Sequence, residues 1–516
     1  MRIERVKNAS RNMVYGIASQ IVKQLLPFAM RTVMLYLLGV EYLGLNSLFT
    51  SVLSVLNLAE LGVGSAMVYS MYQPIVDDDT DKICALMRLY KLYYRCIGLV
   101  ICAIGLVLLP FIPKLINGDV PSDINVYLLY LLNLAATVFS YWLFAYKSSI
   151  LWAHQRNDIV SKVTLVTDCI KYAAQFLVLV FTQNYYLYVM AILSTQILNN
   201  ILTALLAARM YPDYHAKGTL SKGERTTINH RIRDLFTAKV ATVIVYSSDT
   251  IVISAFLGLK ILAIYQNYYY LFSAVASMII LVFTSVRAGL GNSFIIDTKE
   301  KVTKDFMSFL LITVWLAGFC STCFLCLYQP FMELWVGTDL LAEFGIVVCM
   351  AIYFFVNCLN IFFNSYKDAS GMWHKDRFRP LVEAITNLIL NVILVQYIGL
   401  YGIILSTIFS MIFVAPWLIH NLFDILFDLI YLKRFLKQMA YYVLATGITM
   451  IITYYLCSFV DLPLIFVILV RLVICIVCAN LILLTFYYRF PEFHSCIILA
   501  NRMTMGKIKI LRKLTY

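Results

Sequence analysis

Apolar residues run along this chain in long blocks broken by short polar interruptions, and the blocks have the length of membrane-crossing helices. Such a helix takes about 20 mostly apolar residues. Fourteen blocks are read, at about 12–38, 42–72, 92–116, 125–150, 162–182, 186–208, 236–257, 263–290, 306–330, 344–366, 380–398, 401–423, 439–459 and 464–488. The expected class is an all-α polytopic membrane protein with fourteen transmembrane helices. The first block is too long for a cleavable signal peptide and lacks a small-residue cleavage site before its outer end, so none is expected.

Helical spacing then sorts the polar residues inside the blocks. At 100° per residue, Gln20, Lys23, Gln24, Pro27 and Arg31 share an arc of about 100° on span 1. Asn46, Asn57, Glu60 and Gly64 fall within about 60° on span 2. Asp168, Lys171 and Gln175 share a face of span 5, and Gln196, Asn199, Asn200 and Thr203 one of span 6. Asp249 sits in span 7. Asn357, Asn360 and Asn364 share a face of span 10, and Glu383, Asn387 and Asn391 one of span 11. Lipid satisfies none of these groups, so the faces turn toward the bundle or a hydrated cavity. Interhelical hydrogen bonding is the alternative for the Asn, Gln and Ser residues. Asp168 and Lys171 have the alternative of pairing with each other, and Arg31 that of reaching the outer headgroups.

A cation at the bilayer centre costs at least about 2.5–3.5 kcal/mol. Lys23, Arg31 and Lys171 are therefore candidates for holding an anion, with Gln20 and Gln24 beside the first two. The acids Glu60, Asp168, Asp249 and Glu383 are candidates for a coupling ion, because a poorly hydrated carboxylate gains proton affinity. The first lobe's buried charges are mostly basic and the second lobe's are acidic. Pro27 removes a backbone hydrogen bond in mid-helix and is a candidate hinge; a static kink is the other reading. Arg471, in span 14, is expected to pack or reach for the headgroups.

The order of the blocks repeats. Leu38-Gly39-Val40-Glu41-Tyr42-Leu43-Gly44 matches Leu257-Gly258-Leu259-Lys260-Ile261-Leu262-Ala263. Gly62-Val63-Gly64-Ser65 matches Gly289-Leu290-Gly291-Asn292, Tyr146-Lys147 and His154 match Tyr366-Lys367 and His374, and Ile192-Leu193-Ser194-Thr195 recurs as Ile404-Leu405-Ser406-Thr407. Six spans per copy is an even number, so both copies enter the membrane in the same sense. That is a parallel repeat, a transporter architecture. The expected domains are an N-lobe (1–208, spans 1–6), an inter-lobe linker (209–235), a C-lobe (236–423, spans 7–12), an amphipathic elbow (424–437), spans 13 and 14 (438–488) and a basic tail (489–516).

Composition supports the class: 62% hydrophobic and 13% charged, with mean hydropathy +0.82, against about 45–50% and 25% in soluble chains. The net charge of +13 suggests nucleic acid only when the basic residues form a face on a soluble fold. Here they alternate with spans, so no nucleic-acid partner is expected. Placing the N-terminus in the cytoplasm puts 35 of the 41 Lys and Arg residues on the cytoplasmic side, which fixes both termini inside. The thirteen cysteines lie mostly within spans. Cys320, Cys323 and Cys326, and Cys475 with Cys478, imitate metal-ligand spacing and are read as small packing residues, so no metal and no cofactor is expected. No nucleophile–base pair or phosphate-binding glycine loop is present in the sequence, and an enzyme is not expected.

The run Asn12-Met13-Val14-Tyr15-Gly16-Ile17, then Leu38 through Phe49 and Leu58-Ala59-Glu60-Leu61-Gly62-Val63-Gly64-Ser65-Ala66, resembles the Wzx-type polysaccharide flippases. Their superfamily also holds multidrug exporters of the MATE type and lipid II flippases. The resemblance implies two six-helix lobes with alternating access. It also implies export of an undecaprenyl-pyrophosphate-linked oligosaccharide to the outer leaflet of the bacterial cytoplasmic membrane, driven by a proton or sodium gradient. Cationic side chains then meet the pyrophosphate, a role carried to Lys23, Arg31 and Lys171. Tyr265, Tyr268, Tyr269 and Tyr270 are candidates for stacking on sugars. A MATE-like exporter of small cations is the alternative, kept by the acids. Whether the chain works alone or beside a polysaccharide polymerase and a chain-length regulator stays open.

Overall fold

The computed structural model describes residues 22–60, 62–118 and 120–503. Gln20, the last part of the expected basic tail (504–516) and the first part of span 1 lie outside the described residues. The helices, in order, are α1 (22–37), α2 (Val40–Leu56), α3 (Val63–Val76), α4 (Thr80–Leu108), α5 (Val126–Trp142), α6 (Ser148–Ala153), α7 (Asn157–Thr182), α8 (Tyr185–Met210), α9 (Lys222–Leu257) and α10 (Leu259–Ile296). They continue as α11 (Lys299–Val336), α12 (Phe344–Ser370), α13 (Trp373–Asp376), α14 (Arg379–Ile398), α15 (Leu400–Ile425), α16 (Leu432–Ser458), α17 (Leu464–Ile474), α18 (Asn480–Tyr487) and α19 (Pro491–Met503). Among the described residues there is no strand.

Ten of these helical segments are long and apolar enough to cross a membrane, or eleven if α5 and the segment Ala145–Ala153, bent by 45°, form one span. The chain is a multi-pass membrane protein. Three expected spans fall outside that count. Span 1 is described only from residue 22, and the apolar part of span 7 is short, Val243–Leu257. Span 2 is not one helix. α2 gives way to a 3-10 turn at Asn57–Glu60, and α3 starts after Gly62, whose φ of 92° is left-handed. The straight face expected for Asn46, Asn57, Glu60 and Gly64 therefore does not exist. An even apolar run hides a glycine that suits a left-handed turn at no steric cost.

The chain divides into two compact units, Met1–Ala263 and Ile264–Tyr516. The division falls later than the expected linker, because α9 packs along α2 and α3 within the first unit. Asn117 adds to that attachment: its N–H donates to the Ser254 carbonyl at 3.0 Å and its Nδ2 to the Phe256 carbonyl at 2.7 Å. In the second unit α11 is the central helix, packed on α12, α16, α17 and α19. Phe306 of α11 meets the rings of Phe362, Tyr366, Phe427 and Phe435 at centroid distances of 4.5–6.0 Å. The stretch 424–437, expected as a separate elbow, is divided. Its last residues begin α16, since nothing after the 3-10 turn Leu429–Tyr431 interrupts the helix.

The duplicated motif leaves a conformational mark. Gly39 and Gly258, at matching places in the two copies, both take positive φ, 116° and 88°, with ψ near 175°. L-residues with a side chain seldom adopt that backbone. In the α14–α15 hairpin the expected polar face is interhelical glue: Asn387 Nδ2 donates to Thr407 Oγ1 at 3.0 Å, and Ser406 bonds to Asn391. Asn200 on α8 likewise donates to the Ser140 carbonyl at 2.8 Å, and Thr167 to Asn199 at 3.2 Å.

α9 opens with a capping box. Ser221 Oγ accepts the Glu224 N–H, and Glu224 accepts the Ser221 N–H at 3.0 Å. Lys82 Nζ stands 2.7 Å from the Glu224 carboxylate. Lys82 and Ser221 hold that carboxyl at about 2, below its ordinary 4.5. A depressed acid stabilises above its unfolded value and loses that contribution as pH falls through the folded one. Protection of the amides at the start of α9, measured as the exchange rate relative to the intrinsic rate at each pH, is expected to fall between pH 4.5 and about 2. In Glu224→Gln the protection is expected to be low and flat over that window; a wild-type start as insensitive to acid would contradict the cap's role.

Candidate functional site: cations and tyrosines in the first unit

α7 carries Asp168, Lys171, Tyr172 and Gln175 at i, i+3, i+4 and i+7, which places them on one face. Lys171 Nζ lies 2.7 Å from Asp168 Oδ1, with the two side chains 22% and 18% exposed. The same ammonium lies 4.3 Å from the Tyr172 ring centroid, within cation–π range. Gln175, buried, bonds to Tyr188 of α8, and Tyr188 is in electrostatic reach of both Tyr172 and Arg31. Tyr188 stacks on Tyr185 at 5.6 Å, and Tyr185 meets the edge of Tyr42 at 5.3 Å. Tyr42 in turn donates to Asp123 at 2.5 Å.

Arg31 and Lys171, read as separate cations, thus reach one cluster of tyrosines. Arg31 is half-buried between the buried Met30 and Met34. Lys23 is exposed, two turns back along α1, with Gln24 partly buried beside it. Eight residues of helix put about 12 Å between Lys23 and Arg31 along the axis. α1 is helical through Pro27. The proline has no N–H for the carbonyl four residues back, which is that of Lys23.

Each acid has its own surroundings. Glu60 sits at the break between α2 and α3 in a tyrosine cage. Tyr94 donates to its Oε1 at 3.3 Å, Tyr90 donates to Tyr94 at 2.6 Å, and Tyr141 donates to Asn57 at 3.2 Å. A Cβ on Gly64 would come within 3.1 Å of Glu60 and 3.0 Å of Tyr90, so the cage closes around a glycine. Asp249 is buried on α9 in the run Ser247-Ser248-Asp249-Thr250, all four buried. Glu383 belongs to the second unit and to an ion-pair network.

That network corrects the expectation of an acidic second lobe. Its centre is Arg379, counted from sequence as a loop cation and in fact 2% exposed. Arg379 donates Nε and Nη2 to Asp376 at 2.7 and 3.0 Å, Nη1 to Glu383 at 3.2 Å and Nη2 to Asn364 at 2.8 Å. Lys367 stands 3.6 Å from Asp376 and 3.2 Å from Asp368, which also pairs with Arg287 at 3.3 Å. The readable signal was Asp376, Arg379 and Glu383 at i, i+3 and i+7, across the start of a helix. The first copy has a smaller counterpart at the same point: Arg156 pairs with the buried Asp158 at 2.9 Å. Tyr268, a candidate for sugar stacking, is buried and bonded to Gln329 and the Ala342 N–H, a packing role.

No family model matches the chain, and no curated protein matches it. Solved structures do. Over 92% of this chain and 98% of the other, it is similar to the lipid II flippase MurJ in an inward closed conformation, with a TM-score of 0.66 and 17% identity. It is similar to an inward-facing multidrug resistance MATE family transporter of the MOP superfamily over 76% of this chain and 92% of the other, at TM-score 0.58 and 14% identity. A eukaryotic MATE transporter is matched over 82% and 96%, at 0.55 and 13%. These neighbours are transporters and flippases rather than enzymes. The chain therefore has the transporter fold shared by the lipid II flippase and the MATE exporters of the MOP superfamily.

Proposed function

We propose that this protein is a flippase for an undecaprenyl-pyrophosphate-linked oligosaccharide. It carries the lipid from the inner to the outer leaflet of the bacterial cytoplasmic membrane by alternating access, for surface polysaccharide biosynthesis. In this reading fourteen spans form two six-helix repeats plus two further helices, and both termini are cytoplasmic. The observation that carries the reading is the pair of cations, Arg31 and Lys171, beside linked tyrosines: Lys171 lies over Tyr172, and Arg31 is in electrostatic reach of Tyr188, which stacks on Tyr185. A diphosphate offers negative charge to cations held in an apolar setting, and tyrosine faces suit sugar rings. Lys23, Gln20 and Gln24 extend the polar track along α1, and Pro27 serves as its hinge. Asp168 holds Lys171 in place until the substrate arrives.

The coupling ion, a proton or sodium, is assigned to the acids, Glu60 first because tyrosine hydroxyls surround it, with Asp249 and Glu383 as the others. Glu60, Asp249 and Glu383 also keep a second reading, a MATE-like exporter of small cations.

The test is complementation of a deletion strain, with surface polysaccharide measured against protein inserted in the membrane. Arg31→Ala and Lys171→Ala each remove a charge-assisted contact of about 1.5–3 kcal/mol, or roughly 10- to 100-fold in binding. Each is expected to lose most polysaccharide at normal protein level, and the double variant all of it. Full export by the double variant would remove the cations from the mechanism. Hypersensitivity of the deletion strain to cationic drugs, with polysaccharide intact, would establish the MATE-like reading instead.

A further inference from the structure

Three helices of the second unit bring their cysteines to one point. Cys326 of α11, Cys457 near the end of α16 and Cys475 just after α17 are 0–1% exposed, and their sulfurs all lie within 4.8 Å of one another. Cys475 is also in hydrogen-bond reach of a fourth thiol, Cys323, one turn from Cys326. Leu327, Tyr454 and Ile474 close around them, with no carboxylate or imidazole in the cluster. The backbone departs from α-helix here: Cys475–Ala479 is a π turn. Single π turns inside α-helices are frequent at functional sites.

A second observation points to negative charge at this place. Arg471, the cation of span 14, stands against the cluster. Its Nη1 reaches the Cys326 carbonyl at 3.4 Å, and its guanidinium is in electrostatic reach of Cys457 and Cys475. Its Nε is buried and has no hydrogen-bond partner among the described residues. A cation in the membrane beside neutral thiols has nothing to offset its cost. Beside thiolates it does.

We infer that Cys326, Cys457 and Cys475, with Cys323 in reserve, form a thiolate site for a soft d10 metal ion, Cu(I), with Arg471 as its counter-charge. Sulfur-only donor sets select soft ions. Two metal–sulfur bonds of about 2.3 Å on opposite sides of one ion place their sulfurs about 4.6 Å apart, and every pair in the cluster lies within 4.8 Å. Two thiols bind as Cu⁺ + 2 RSH → [Cu(SR)₂]⁻ + 2 H⁺. The complex is two-coordinate and carries one negative charge, which Arg471 neutralises, while the third sulfur stays a neutral thiol beside the ion. A divalent ion with four thiolates leaves a residual negative charge in an apolar setting. The site staples α16 and the π turn, both beyond the duplicated helices, to the central α11.

The test uses the full chain purified from copper-supplemented cells and incubated with Cu(I) alone. Copper per chain and the X-ray absorption shell around it are the readouts, with size-exclusion elution confirming the fold of each variant. Wild type is expected to hold about one copper in a sulfur-only shell. Cys475→Ser and Cys475→Ala are expected to hold at least tenfold less. Arg471→Gln is expected to yield its copper to a chelator about tenfold more readily, and Cys169→Ser, at an exposed cysteine of α7, to match wild type. Copper in wild type no higher than in Cys475→Ser, a shell containing nitrogen or oxygen, or tighter retention of Zn(II) than of Cu(I), would each overturn the assignment.

Discussion

Replacing Arg379 by methionine is expected to destabilise the protein by about 3–5 kcal/mol, because it leaves buried carboxylates without their cation. Asp376 is 2% exposed and Glu383 7%, and Arg379 meets both with three hydrogen bonds while a fourth goes to Asn364. Lys367 stays 3.6 Å from Asp376 and softens the loss on that side. Among the described residues Glu383 forms an ion pair with Arg379 alone, and Lys367 acts on it only at longer range, so most of the loss falls there. The measurement is the thermal half-life of the purified protein in detergent. The triple variant Asp376→Asn, Arg379→Met, Glu383→Gln is expected to recover much of the lifetime, since removing a whole buried ion cluster is often near neutral. A single Arg379→Met variant as long-lived as wild type would show that the network contributes nothing to stability.

The same residue shows what the sequence could and could not tell. Arg379 precedes a proline in a stretch crowded with charge, and charge there reads as topology. Hydropathy averages over about 19 residues and carries no information about which member of a charged stretch turns inward. Arg31 posed the opposite problem. Its cost inside an apolar block was plain, and its spacing joined it to Lys23. The structure also associates it with Tyr188, on a helix far along the chain, which is in electrostatic reach of Tyr172, the ring under Lys171. The i, i+3 pair Asp168–Lys171 was legible because both partners lie on one helix. Contacts between helices were not, and this is why Cys457 was missed: its partners lie on two other helices.

Local backbone was legible only where glycine marked it. The repeated Leu-Gly motif falls between apolar blocks in both copies, and Gly39 and Gly258 both take the backbone that glycine favours. Gly62 sat in an equally apolar setting without a loop around it, and the run 42–72 read as one helix. The left-handed glycine breaks that span beside Glu60, so the acid meets Tyr94 across a turn rather than from a regular helix face.

Gly44 joins the two copies of the motif directly, and Gly44→Val is expected to have the second largest effect. A Cβ at Gly44 would lie 2.5 Å from the Leu259 carbonyl oxygen and 2.9 Å from its Cβ. Leu259 follows Gly258, so the first copy of the motif packs against the second at a point where neither backbone has room to give. Small residues allow such close approach between membrane helices, where packing rather than hydrophobicity drives association. Valine forces the helices apart at a cost of about 1–3 kcal/mol or more, and alanine, which already brings the clashing Cβ, loses part of that. The comparison is Gly447→Ala on α16, where an added Cβ meets nothing within 4 Å. That change is expected to stabilise by about 0.5–1 kcal/mol, the ordinary gain of alanine over glycine within a helix. Thermal melting of the detergent-solubilised protein reads both. Equal melting of Gly44→Val and wild type would mean that the two motif copies separate freely, and the contact would then be a consequence of the fold rather than a constraint on it.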